Sequence, residues 1–176
     1  MEAKVTIRGM SPLLMKRYPL EPIEGLEKKP KEEQAELAAY RIPKTGELYI
    51  PGDAIQRALI NGAAYSKGRG RASLQKVSAA CILVSQEFVG LGTNKYEIDS
   101  RPVVVPATRG RILRHRPRID RWKAQFNVEW DETLVNEVQV KRIIEDTGKL
   151  VGLLEFRPAC KGRFGRFELA KWEKSK

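Results

Sequence analysis

From Trp122 to Trp130 apolar and polar positions alternate without a break. Trp122, Ala124, Phe126, Val128 and Trp130 fall on one side and Lys123, Gln125, Asn127 and Glu129 on the other. A period of two sends successive side chains to opposite faces of a strand, so this stretch predicts a sheet strand with one buried and one wet face. Residues 3–8, AKVTIR, carry the same period, with Ala3, Val5 and Ile7 opposed to Lys4, Thr6 and Arg8, and Gly9 and Pro12 close it. Pro19, Pro22, Gly25 and Pro30 then rule out a long regular element between 13 and 31. KEEQAELAAY, 31–40, reads as a short helix with acids in its first turn, ended by Pro43. Residues 47–50 read as a strand running into Pro51 and Gly52. Asp53 is placed to cap a helix to about Tyr65, whose Ile55, Ala58, Leu59, Gly62 and Ala63 share one face.

Further along, the apolar run 79–84 and Phe88, Val89 and Leu91 predict one or two short buried strands. Residues 96–99 and 103–105 are strand candidates broken at Pro102 and Pro106. Asp131 is placed to cap a helix over 132–146 with Leu134, Val135, Val138, Ile143 and Ile144 on its apolar face, and Gly148 is its expected stop. In a last strand, 165–171, Phe167 and Leu169 alternate with Glu168 and Ala170. Without insertions the order is strand (3–8), helix (53–65), strands (101–130), helix (132–147), strand (165–171). That order predicts an α+β fold, a ferredoxin-like (RRM-like) β-α-β-β-α-β sheet with insertions and helices on one face. RNA-recognition domains use the face left free. At 176 residues the chain suits a single domain, 1–176.

Charge changes the picture. The formal net charge is +11 with 41% hydrophobic residues, a chain able to form a core and biased toward polyanions. Arg109, Arg111, Arg114, Arg116, Arg118, Arg121 and Lys123 stand against one carboxylate, Asp120, which predicts a sheet that offers positive charge to nucleic acid. The glycine-broken segment YSKGRGRASLQK adds Lys67, Arg69 and Arg71, as a phosphate-gripping loop or a solvated linker. In Lys161–Arg166, glycines would let a phosphate approach, Lys161, Arg163 and Arg166 would neutralise it, and Phe164 would stack on a base; otherwise the segment is a tight turn with Phe164 buried. The Walker spacing is absent, which argues against nucleotide hydrolysis. Trp122, Phe126 and Trp130 read as core rather than a stacking row. His115 is the only histidine and the one candidate general base. The carboxylate pairs 32–33, 131–132 and 145–146 sit at helix ends and read as caps. Cys81 and Cys160 lack ligand or disulfide spacing, so no metal and no cofactor is expected. No leader-like or membrane-spanning run is legible, and a cytoplasmic protein is expected.

LYIPGDAIQRAL, from Leu48 to Leu59, resembles the strand, Pro-Gly turn and first helix of the CRISPR-associated RAMP superfamily. GRFGRFEL, from Gly162 to Leu169 with Lys161 before it, is similar to that superfamily's carboxyl-terminal glycine-rich loop and following strand. Together the two matches cover about a fifth of the chain. RPVVV, RxRPRxxxW and EFRPACKGRFGRFE also resemble proteins of phages and prophages, a likeness that supplies no function. The superfamily resemblance implies a ferredoxin-like protein that binds guide RNA, as a backbone subunit or as a crRNA-processing endoribonuclease, although no large thumb insertion is legible. The reading is therefore a non-enzymatic binder of single-stranded RNA, ahead of DNA, in a homo-oligomer or among ribonucleoprotein subunits, with no membrane. Phosphate contacts are expected from Lys67, Arg69, Arg71, Arg111, Arg114, Arg116, Arg118, Arg121, Lys161, Arg163 and Arg166. The alternatives are an endoribonuclease using His115 and an assembly protein with an acidic protein partner.

Overall fold

The computed structural model describes the chain apart from Pro22, Glu24, Arg69, Gly70, Arg71, Pro106 and Lys176. Its strands are β1 (Glu2–Gly9), β2 (Leu13–Leu14), β3 (Tyr49–Pro51), β4 (Ile82–Val84), β5 (Phe88–Gly90), β6 (Glu97–Val104), β7 (Arg111–Ile119), β8 (Lys123–Trp130) and β9 (Phe167–Lys174). Its helices are α1 (Lys31–Leu37), α2 (Gly52–Gly62), α3 (Gln75–Cys81) and α4 (Glu137–Asp146). The two longest alternating stretches of the sequence become neighbours: β1 and β8 pair antiparallel from Glu2↔Glu129 to Arg8↔Lys123. β9 takes the other side of β1 and β4 the far side of β8, giving a main sheet of order β4-β8-β1-β9. Ala3, Val5, Ile7, Trp122, Ala124, Phe126, Val128 and Trp130 all point into the core, as their period requires. Helices α2 and α4 cover this face, and α2 buries Ile55, Ala58, Leu59 and Gly62. The architecture is α+β and ferredoxin-like.

The second strand of that plan is not where the sequence placed it. It is β4, and residues 79–81 close α3 instead of belonging to a strand. Strands β6 and β7 pair as a separate antiparallel hairpin, extended by β2 into a second sheet of order β2-β7-β6. Pro102 does not break β6, because an edge strand needs to bond on one side only. The arginine run therefore lies on a hairpin beside the main sheet, not on the sheet itself. Both sheets contribute to one hydrophobic cluster, Leu13 and Ile119 from the second joining Ile7 and Phe126 from the first.

Helix α4 also departs from expectation. Asn136 is its cap, accepting from the Gln139 amide at 3.0 Å while the Gln139 side chain accepts from the Asn136 amide. Asp131 instead holds a turn, accepting from the amide and hydroxyl of Thr133. The buried stripe is Val140, Ile143 and Ile144, with Leu134 and Val138 exposed. Gly148 does not stop the helix: the chain runs on through a widened π turn, Thr147–Val151, to Gly152. What Gly148 provides is closeness, since a Cβ there would lie 2.0 Å from the carbonyl oxygen of Phe167.

That contact decides the sign of a substitution. Gly148→Ala would ordinarily favour a helix, but here it drives a methyl group into the backbone of β9. It is expected to lower stability by about 1–3 kcal/mol in urea unfolding, and an unchanged or raised midpoint would show that α4 and β9 are not so closely packed.

Candidate nucleic-acid interface

Alternation along the β6–β7 hairpin sorts its side chains onto two faces. Asp99, Arg101, Arg114 and Arg116 share one; Ser100, Pro102, Val104, Leu113 and His115 share the other. On the first face Arg101 grips Asp99 with two hydrogen bonds of 2.5 Å. Its guanidinium lies 4.7 Å from the ring centre of Phe164 and 5.6 Å from that of Phe156. Arg116 approaches Phe156 at 4.9 Å and bonds Glu155 at 3.2 Å. These two arginines thus clamp the hairpin onto the carboxyl-terminal loop, residues 152–166.

Arg116 is 3% exposed, and its Nε and Nη2 are buried without a hydrogen-bond partner among the described residues; the same holds for Nη1 of Arg114. Burial accordingly lowers the pKa of Arg116 from its ordinary value. On the opposite face His115 Nδ1 sits 2.7 Å from Ser100 Oγ, separated by the strand from the two arginines that flank it in sequence. Leu113 and Val104 beside it are more than half exposed.

Where β7 turns into β8, a groove of about 700 Å³ opens between the strand ends and the segment 91–97. Arg8, Lys95, Arg118, Arg121 and Lys123 line it, against Glu97 and Asp120. Arg118 is paired with Asp120 at 2.6 Å and Arg8 with Glu168; Lys95, Arg121 and Lys123 are in no ion pair among the described residues. Tyr96 donates its hydroxyl to Glu36 at 2.8 Å, and burial together with that bond pushes its pKa to about 12, so the groove holds a neutral phenol.

The glycine-rich loop is used differently from the sequence expectation. A Cβ on Gly162 would lie 1.8 Å from the carbonyl oxygen of Phe156, and one on Gly165 2.0 Å from that of Leu153. The glycines let the loop fold onto itself, tied by Phe164 N–H to Phe156 O and Gly165 N–H to Pro12 O. Phe164 is 2% exposed, so its ring is a core element under Arg101 and is not free to stack on a base. Lys161, Arg163 and Arg166 remain exposed on the outer side.

The predicted cations therefore separate into groups. Arg114 and Arg116 lie on the inner hairpin face, Arg111 near the hairpin tip, Arg118 and Arg121 in the groove, and Lys161, Arg163 and Arg166 on the loop. Arg116 is too deeply buried to be an outer phosphate contact. Lys67 is exposed beyond the carboxyl end of α2, where it bridges to Ser73, and Arg69 and Arg71 lie outside the described residues. Sequence reasoning missed Arg8, Lys95 and Arg101. The cue for Arg101 was the alternation of 97–103, which mirrors that of 112–118.

The free face of the main sheet carries Glu2, Lys4, Thr6 and Arg8, then Lys123, Gln125, Asn127 and Glu129, flanked by Leu83 and by Glu168, Lys171 and Glu173. Its four cations equal its four carboxylates. Arg8 bonds Glu168, Gln125 bonds Thr6, Asn127 bonds Glu2 and Ser85 bonds Glu129. It has no net charge and no aromatic ring, which removes the RRM-like use of that face.

No helix among the described residues is long and apolar enough to cross a membrane. No family model matches the sequence, and no curated protein does. The structure is similar to a chain in the cryo-EM structure of the Type III-B Cmr-beta bound to cognate target RNA, with a TM-score of 0.59 and 11% sequence identity. The match covers 98% of this chain and 59% of that one, so this chain spans about three-fifths of its structural relative's length. At that identity the likeness is one of fold.

Proposed function

We propose that this chain binds single-stranded RNA, ahead of single-stranded DNA, as a non-enzymatic subunit of a CRISPR-associated ribonucleoprotein. The observation that carries this reading is the gathering of cations around β2. Strand β7 pairs with β2 on one side, and the loop 152–166 bonds Pro12 and Leu14 on the other. Arg121, just past the end of β7, and Lys161, Arg163 and Arg166 on the loop are in no ion pair among the described residues. A flexible polyanion can follow such a dispersed array where a stiff duplex cannot, and phosphate contacts of this kind give affinity without reading sequence. The fold shared with a chain of an RNA-bound assembly supports the choice of RNA. The segments Leu48–Leu59 and Gly162–Leu169 support the RAMP connection, since they form the entry to α2 and the loop leading into β9.

Each phosphate contact to a single strand contributes about −0.7 to the slope of log affinity against log salt. Four to six contacts predict a loss of roughly 50- to 340-fold between 50 and 200 mM salt. Fluorescence anisotropy with single-stranded RNA, single-stranded DNA and duplex DNA of equal length measures this directly. Failure to bind any of them at low salt would remove the proposal and favour an acidic protein partner.

Arg121→Ala and Arg163→Ala should each flatten the slope by about 0.7 and weaken all sequences alike. His115→Ala should leave the salt slope unchanged, because His115 lies on the strand face opposite the two flanking arginines and bonds Ser100. An RNA cleaved by the wild type and spared by that variant would revive the endoribonuclease alternative. Phe164→Ala should act through folding, costing about 3–5 kcal/mol; a loss of affinity with an unchanged melting temperature would contradict its place in the core.

A further inference from the structure

Between the segment that follows β2, helix α1 and strand β7 lies a cavity of about 390 Å³, within the range of small-ligand sites. Its walls are of two kinds. Leu26 and Leu37, with the largely exposed Tyr18 and Leu20, supply apolar lining, and Lys16, Arg17, Arg114, His115 and Arg116 supply polar lining. The arginine wall is unfinished. Nη1 of Arg114 and both Nε and Nη2 of Arg116 are buried donors with no acceptor among the described residues. Arg114 reaches Glu27 only at 3.5 Å, and Arg116 has one bond, to the partly exposed Glu155.

Buried guanidinium groups are costly unless their N–H groups meet acceptors, and neither the cation–π contact with Phe156 nor a single bond to Glu155 supplies three. An occupant that completes this wall must bring several acceptor oxygens with negative charge. One that fits the opposite wall must bring a flat or apolar body.

We propose that this cavity takes one nucleotide of the bound strand, its phosphate on Arg114 and Arg116 and its base against the apolar side. The proposal rests on the single-strand-binding reading and goes beyond it, because it assigns a base-binding pocket to a surface otherwise expected to contact phosphates only. It also gives Arg116 a role that burial denies it in an outer phosphate track. Gln34, which also lines the cavity, donates Nε2 to the carbonyl oxygen of Lys29 at 2.9 Å, leaving its Oε1 as an acceptor for an amino group of the base.

The test compares an intact single-stranded oligonucleotide with the same strand carrying abasic positions, which keeps the phosphates and removes bases. Each is titrated against wild type and against Leu37→Trp, which fills the apolar side without altering charge. Wild type should lose about tenfold or more on the abasic strand, as base–aromatic contacts of this kind require. Leu37→Trp should bind the intact strand about as weakly as wild type binds the abasic one, show little further loss on the abasic strand, and keep the wild-type salt slope. If Leu37→Trp does not fold, as judged by its melting transition, Leu26→Trp on the same wall replaces it, and Arg114→Met tests the other wall through a flatter slope. Equal binding of intact and abasic strands by wild type, or undiminished discrimination by the filled variants, overturns the pocket while leaving strand binding intact. Absence of binding to every strand would instead remove the reading on which it rests.

Discussion

The seating of two guanidinium groups, Arg101 and Arg116, against the rings of Phe156 and Phe164 is the interaction on which the candidate site depends. Among the described residues the hairpin β6–β7 has only β2, two residues long, as a further strand partner. A two-stranded ribbon is marginal alone, so its position must be fixed by side chains. Arg101 spends both its bonds on Asp99 and its flat face on Phe164, so it is geometrically determined. Arg116 is held by Phe156 and by one bond to Glu155, with its Nε and Nη2 buried and unpartnered among the described residues. The first arginine is fully engaged within the protein, and the second is engaged through one bond and one ring.

This clamp also explains the backbone of the carboxyl-terminal loop. Leu154, Phe156 and Lys161 have positive φ as non-glycine residues, a conformation that costs energy and persists where the surroundings over-determine it. Placing Phe156 between Arg101 and Arg116 and Phe164 beneath Arg101 demands such a path. Glycines at 162 and 165 are then required because the loop's own strands of backbone approach within contact distance. The motif that resembles the RAMP glycine-rich loop is, in this chain, a packing solution with its basic residues turned outward.

Much of the fold was legible because the two central strands are pure alternations whose buried faces leave little freedom. Helix α2 was legible for the same reason at a period near 3.6. The failures have physical causes. Residues 79–84 are a continuous apolar run, for which periodicity cannot distinguish helix from strand, and the chain uses both. Pro102 was given a veto that an edge strand does not honour. Asp131 satisfied the composition of a cap, while the reciprocal pair Asn136 and Gln139 satisfied its geometry. For the site, composition located the basic residues, but strand parity decides their exposure. Arg114 and Arg116 face inward and His115 outward, and a list of cations in sequence order carries none of that.

The self-neutralised face of the main sheet has a consequence for how the molecule meets a partner. Because it contributes nothing to the net charge of +11, the excess must reside on the remaining surface. Such an uneven distribution gives the protein an electric moment as well as a charge. A polyanion at a distance would therefore exert a torque on it, turning the neutral sheet away before the surfaces touch. Encounter is oriented by the face that carries no excess charge.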